Sequence, residues 1–280
     1  MGARQDHRKA GYGVVSSALP IGALEEIPEP NGLLVLRIRN EARANSLDDA
    51  VLEQLSSALL GERAQQARVV ILTGFGDRVF SAGVAIDPGD AAAQIATLRR
   101  REALLTKTVA AIDNCTRPVI CAVNGPALGG AVELAAACDW RIASEQASFA
   151  MPPARLGLVY LPDGLGRFVA LIGPGRVSEM FLTARSIGAH EAAQIGLVNE
   201  VRPPAELMPR AVEMAGMVAS LAPIAVAGIR ATIRAIARND SHQHIADVAQ
   251  RWRTRAYASQ DLIEGLTAFS KRRPPAFTDS

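Results

Sequence analysis

Asn124-Gly125-Pro126-Ala127-Leu128-Gly129-Gly130-Ala131-Val132-Glu133 is the stretch that decides how this chain folds. It follows Val119-Ile120-Cys121-Ala122-Val123, an apolar run that reads as a short buried strand. Gly129-Gly130 then opens a helix whose first turns, from Ala131 to Cys138, are apolar on every side. Such a helix is buried, and its first N–H groups have no partner inside it. Those donors and the helix dipole suit a developing oxyanion. Glu133 is the only ionisable residue between Asn124 and Asp139, so desolvation should raise its pKa. A first-turn acid can instead simply complement the dipole, but an exposed one normally has polar neighbours, and this one has none.

A second glycine loop, Phe80-Ser81-Ala82-Gly83-Val84-Ala85, lies downstream of the buried strand Val69-Val70-Ile71-Leu72. Turn and cap geometry alone would account for Gly83, Gly129 and Gly130 in both loops. Working outward, Leu33–Arg39 alternates as a strand, with Leu34, Leu36 and Ile38 on one face. Ser46 reads as an N-cap for a helix carrying Leu47, Val51, Leu52, Leu55 and Leu59. Arg141-Ile142-Ala143 and a segment opening at Phe149 read as further strands. Strands alternating with helices and ending in glycine loops predict an α/β fold. From about Pro203 only helices are expected, over 205–221, 223–238, 242–257 and 261–272. The expected organisation is a disordered tail over 1–30, an α/β core over 31–202 and a helical region over 203–280.

Composition narrows the class. The 280 residues are 49% apolar and 21% charged, ample for a core without metal or disulfide support. Thirty Lys and Arg against 28 Asp and Glu give a formal charge of +2, and aromatics are only 4%. So balanced a chain advertises neither nucleic acid nor membrane as its partner. Three cysteines without a C-x-x-C pair, no apolar leader and no long apolar span suggest a cytoplasmic location. Gly74-Phe75-Gly76 fails the dinucleotide fingerprint, because Val79 stands where its last glycine belongs. No P-loop and no nucleophile elbow occur. His190-Glu191-Ala192-Ala193-Gln194 ends on an amide where a zinc motif needs histidine, so no metal site is expected.

At the two glycine loops the chain resembles the enoyl-CoA hydratase/isomerase (crotonase) superfamily. The residues are Ser81-Ala82-Gly83, the run from Asn124 through Gly129-Gly130 to Glu133-Leu134-Ala135, and Cys138-Asp139. Arg43-x-Asn45-x-Leu47, Val70-Ile71-Leu72-Thr73-Gly74, Gly196-Leu197-Val198-Asn199 and Glu264-Gly265-x-x-Ala268-Phe269 extend it over roughly 31–277. The resemblance implies a crotonase-like spiral of ββα units, a C-terminal helical trimerisation region and a homotrimer or hexamer. It implies acyl-CoA thioester substrates, with CoA as part of the substrate and no separate cofactor. Carried over residue by residue, the oxyanion donors fall on the backbone N–H groups of Val84 and Gly130. Ala82, with Gly83 and Gly129 shaping the loops, would meet the CoA, and Arg43 matches a basic position near its phosphates. Phe269 and Arg272 match residues that reach a neighbouring subunit's CoA, although Arg272 also reads as part of an ordinary solvated terminus.

The chain departs from the family at one catalytic position. Hydratases of this family use two glutamates, and Glu133 matches the first. The second falls on Pro153, which neither gives nor takes a proton. Loss of an acid/base group typically costs ~10²–10⁴ in rate. Ala85 also replaces the Asp that commonly follows the first donor. Phe149-Ala150-Met151-x-Pro153-Ala154-x-Leu156-Gly157-x-x-Tyr160 is similar to the methylmalonyl-CoA decarboxylase branch, in which the match of Tyr160 contacts the leaving carboxylate. Decarboxylation of a malonyl-type acyl-CoA through a stabilised enolate is therefore the leading expectation, with Glu133 and Tyr160 as the catalytic pair. Enoyl-CoA hydration or double-bond isomerisation with Glu133 as sole acid/base is the alternative. A catalytically inactive acyl-CoA-binding scaffold is the third.

Overall fold

Val69–Gly74 and Val119–Val123 are buried at every position, the pattern of strands covered on both faces. In the computed structural model, which describes residues 22–280 apart from residue 88, they lie at the centre of one sheet. The elements in chain order begin with β1 (Ala23–Glu29), β2 (Leu33–Arg39), α1 (Asp49–Leu60), α2 (Glu62–Gln66), β3 (Val69–Gly74) and α3 (Ala91–Asn114). There follow β4 (Val119–Val123), β5 (Ala127–Leu128), α4 (Gly130–Ala137), β6 (Trp140–Ser144), β7 (Ser148–Ala150) and α5 (Pro162–Thr183). The remainder is β8 (Ile187–Gly188), α6 (Ala189–Gln194), β9 (Glu200–Arg202), α7 (Pro204–Ala219), α8 (Pro223–Ala237), α9 (His242–Tyr257) and α10 (Gln260–Ser270).

The main sheet runs β1-β2-β3-β4-β6-β9, parallel throughout except for the β1–β2 pair. A second row of short pairings crosses the chain's loops: Leu47 with Val84, Ser81 with Ala127, β5 with β7 and β7 with β8. Each long strand is thus followed by a second-row segment and a helix: β3 by 81–84 and α3, β4 by β5 and α4, β6 by β7 and α5. This is the expected spiral of ββα turns. Alternation sorts the side chains between two layers. Leu34, Leu36, Val70, Leu72 and Val123 face α1, α3 and α4, while Leu33, Val35, Ile71 and Ile120 face α7.

Three expectations need correction, and two helices carry no signal that the sequence reading used. Regular structure starts before residue 31, since Ala23–Glu29 pairs along the whole of β2. Pro28 is tolerated there because the strand lies at the sheet edge. The rest of the predicted tail, 1–21, lies outside the described residues. The α1 cap is Asp48, whose carboxylate accepts the Val51 N–H at 3.0 Å, and not Ser46. Leu47 is still extended, bonded to Gly83 and Ala85, so no helix can start at Ser46. The long helices α3 and α5 were not anticipated. Finally, α7 belongs to the core rather than to a separate helical region, because Leu207, Ala211 and Ala215 pack on the sheet.

The helix α8 is tied to the C-terminal ends of α3 and α4. Arg230 donates to Asp139 at 2.7 Å and to the carbonyls of Ile112 (2.8 Å) and Cys115 at the end of α3. Arg234 joins Asp139 (2.9 Å) to the Ala137 carbonyl at the end of α4 (2.7 Å). Among the described residues no single helix is long and apolar enough to cross a membrane. The pair α7 and α8 matches a span in length and composition, but it bends by 108° and α7 is used on the sheet.

Candidate active site

The two glycine loops meet backbone to backbone. Gly83 has φ +80°, and a Cβ there would sit 2.2 Å from the Leu128 carbonyl oxygen and 3.4 Å from the Gly130 nitrogen. Only glycine allows both that conformation and that approach. Flanking groups make the Leu47–Val84 bridge: Leu47 N–H donates to Gly83 at 2.8 Å and Ala85 N–H to Leu47 at 3.0 Å. The N–H of Val84 itself is left without an acceptor among the described residues, and so is that of Gly130 at the start of α4. Two uncommitted amides therefore lie side by side at one wall of a cavity of about 850 Å³, open mouth included.

Glu133 stands one turn further along α4 in the same cavity. All eight residues of α4 are buried, as its all-apolar surface predicts, so the carboxylate has little water to solvate it. Burial raises the Glu133 pKa above the ordinary glutamate range, and the Asp163 charge adds to this. A hydrogen bond from the Tyr160 hydroxyl and the charge of Arg167 oppose the shift without cancelling it. Burial and the Glu133 charge raise the Tyr160 phenol in turn, so it remains protonated and acts as the donor. Gly164 in α5 makes room for this pair: a Cβ there would lie 2.7 Å from the Tyr160 ring and 2.9 Å from Glu133 Oε1.

The rest of the cavity is mostly apolar, with Leu98, Leu105, Leu158, Val159 and Leu161 among its walls. Pro153 is buried and lines it too, so no carboxylate enters from that position. Among the described residues, none that lines it is Lys, Arg or His.

The structure brings Ala82, Val84, Gly129, Gly130, Glu133 and Tyr160 together on this cavity, with Gly83 directly beneath the loop contact. It does not bring in Arg43, Phe269 or Arg272. Arg43 pairs with Asp87 at 2.5 Å, beside the rim residue Ile86. Phe269 is 86% exposed on α10, and Arg272 is exposed just beyond it.

Two residues of α3 were missed, because they carry no local motif. Glu102 lines the cavity. Arg101, 6% exposed, donates to the Ala85 carbonyl at 2.7 Å and pairs with Asp49 (2.8 Å) and Asp87 (2.7 Å). Asn124 and Asn45 of the motifs prove to be staples rather than site groups. Asn124 accepts the Gly74 N–H at 3.1 Å and donates to the Gly76 carbonyl at 2.8 Å, and Asn45 donates to the Phe75 carbonyl at 2.9 Å. Together they hold the connection between β3 and the first glycine loop.

The chain matches the family model described as enoyl-CoA hydratase/isomerase over residues 28–280. It is 36% identical over 252 residues to crotonyl-CoA hydratase of Syntrophomonas wolfei, covering 88% of this chain and 94% of that protein. It is 35% identical over 264 residues to carnitinyl-CoA dehydratase of Escherichia coli O157:H7, covering 88% and 95%. A crystal structure of enoyl-CoA hydratase from Bacillus anthracis superposes with a TM-score of 0.83 at 32% identity, covering 93% of this chain and 100% of that one.

Proposed function

Since the chain belongs to the enoyl-CoA hydratase/isomerase family, we propose that it binds an enoyl-CoA thioester and moves its double bond with one carboxylate, Glu133. The observation that carries this reading is Glu133, the one buried carboxylate that lines the cavity among the described residues, in the same cavity as two amides uncommitted among those residues. With the thioester oxygen between the N–H groups of Val84 and Gly130, charge developing on that oxygen is met by two fixed donors. Each such donor is worth roughly 2.7–4 kcal/mol in the transition state. Glu133 takes a proton from C2 of a 3-enoyl thioester, the electrons pass into a dienolate, and the same carboxyl returns the proton at C4. One group suffices, so a proline at position 153 is no obstacle. The raised pKa suits a group that must both take and give a proton.

Hydration with Glu133 as the sole acid/base is the second reading, favoured by the hydratase and dehydratase names of the relatives. Decarboxylation of a malonyl-type thioester has less support. It would bring a substrate carboxylate against Glu133 and Glu102 in a cavity with no cationic lining residue among the described residues, and Tyr160 is already engaged by Glu133. In the same family-based reading Arg43 meets the CoA phosphates once released from Asp87. Three copies associate so that Phe269 and Arg272 reach the neighbour's CoA.

The test is turnover of 3-hexenoyl-CoA, crotonyl-CoA and malonyl-CoA by the wild type and Glu133→Gln. Conversion of 3-hexenoyl-CoA to the conjugated 2-enoyl thioester is expected, falling ~10²–10⁴-fold in kcat in the variant with CoA binding retained. Conversion of crotonyl-CoA alone selects hydration. Malonyl-CoA turnover that survives the substitution would return the site to decarboxylation.

A further inference from the structure

Glu102 is placed unlike any other acid of the chain described so far. On α3, Leu98, Glu102, Leu105 and Thr106 follow at helical spacing and form the face that closes one side of the cavity. Arg100 and Arg101 beside it turn away, to Asp49 and Asp87. The Glu102 carboxylate itself has no ion-pair or hydrogen-bonding partner among the described residues. Only its backbone carbonyl is used, by the Thr106 hydroxyl at 3.0 Å. The half-buried carboxylate thus faces a mostly apolar chamber. Glu133 and Tyr160 line the same chamber. Arg167, the cation that acts on Glu133, is paired with Asp113 at 2.7 Å and does not line the chamber.

We propose that Glu102 makes this chamber a charge-selective acyl subsite, favouring acyl groups that end in a hydrogen-bond donor or a positive charge and turning away those that end in a carboxylate. The inference rests on the reading that the chamber receives the acyl arm of a CoA thioester. A second carboxylate brought there must share a mostly apolar space with Glu102 and Glu133, with no lining cation among the described residues to offset the repulsion. A terminal cation or hydroxyl instead supplies the partner that Glu102 lacks. Neutral alkyl groups gain only burial against the leucines. Selectivity here therefore comes from a built-in repulsion as much as from an attraction.

The test reads binding rather than turnover, on the full chain, with three saturated thioesters of similar length: butyryl-CoA, succinyl-CoA and 4-(trimethylammonio)butyryl-CoA. The quaternary nitrogen of the third cannot attack its own thioester. Calorimetric titration of the wild type is expected to show succinyl-CoA binding about tenfold or more weakly than butyryl-CoA, and the cationic thioester more tightly than either. Glu102→Gln should shrink the succinyl-to-butyryl ratio of Kd values by about tenfold and remove the preference for the cation, while Glu102→Asp should keep both. Wild-type protein that binds succinyl-CoA as tightly as butyryl-CoA would overturn the inference. So would a Glu102→Gln variant whose ratios stay within about twofold of the wild type, and both results would leave the acyl-CoA reading standing. If none of the three binds the wild type, the acyl-CoA reading itself fails and takes the subsite with it.

Discussion

Glu133 and Tyr160 set each other's protonation, and the sign of the coupling makes it measurable. Burial favours the neutral carboxylic acid, while the Tyr160 hydrogen bond favours the carboxylate. A base that acts as carboxylate loses activity as pH falls through its pKa. The acid limb of the kcat/KM profile should therefore lie above the range of an ordinary glutamate. Tyr160→Phe removes the one hydrogen bond that holds this pKa down, and so should move the limb to still higher pH. Activity on the alkaline plateau should be retained if Tyr160 only positions and tunes Glu133. A pH–rate series on both proteins checks this. An acid limb unchanged by the substitution would mean that the hydroxyl does not govern the carboxylate. Gly164 belongs to the same unit, since any side chain there would press on both members of the pair.

At the scale of elements, the site is a junction between the loop after β3, the start of α4 and the face of α3. Arg101 ties the first of these to the last. Its three contacts, to the Ala85 carbonyl, Asp49 and Asp87, brace the loop one residue beyond the Val84 amide. Arg101→Met would leave two carboxylates and a carbonyl without their shared donor. Their partial exposure limits the stability cost to about 1–3 kcal/mol. The larger consequence is expected in catalysis, because a misplacement of about 1 Å in an aligned donor can cost ~10²-fold. The kcat should fall about tenfold or more while the affinity for CoA changes little. Arg101→Lys should fall between the two, since an ammonium cannot span three acceptors as the guanidinium fork does. Steady-state kinetics with a KM-against-kcat split checks this. A wild-type kcat in Arg101→Met would remove the bracing role.

At the scale of the molecule, the sheet is covered by α1, α3 and α4 on one face and by α7 on the other, while the later helices leave apolar side chains outside. Ile229, Ile233 and Ile236 on α8 are 62%, 59% and 58% exposed, and Leu266 and Phe269 on α10 are 64% and 86% exposed. Isolated exposed apolar residues are ordinary, but rows on successive turns of a helix mark a surface that association would cover. A trimer or hexamer is the expected state in solution, checked by light scattering at micromolar concentration. A charge introduced by Ile233→Glu should shift the population toward monomer. A wild-type monomer would contradict the expectation.

What the sequence by itself determined is whatever depends on neighbours along the chain. Uninterrupted apolar runs had to be strands buried on both faces, and an all-apolar helix opening on Gly129-Gly130 had to be buried with its first amides free. Glu133, alone in that helix, had to be desolvated. Each of these follows from local pattern and the cost of leaving apolar surface in water or a polar group without a partner. Only the tertiary structure decided what depends on segments far apart in the chain. It set Glu102 and Arg101 against the site from a helix that no motif announced, and it tied Tyr160 to Glu133 across 27 residues. It turned Pro153 into the cavity, moved the α1 cap from Ser46 to Asp48, and made Asn45 and Asn124 staples of a loop. Charge pairing and hydrogen bonding act over a few ångströms in space and take no account of separation along the chain, so a carboxylate's partners, and with them its chemistry, exist only once the spiral has closed.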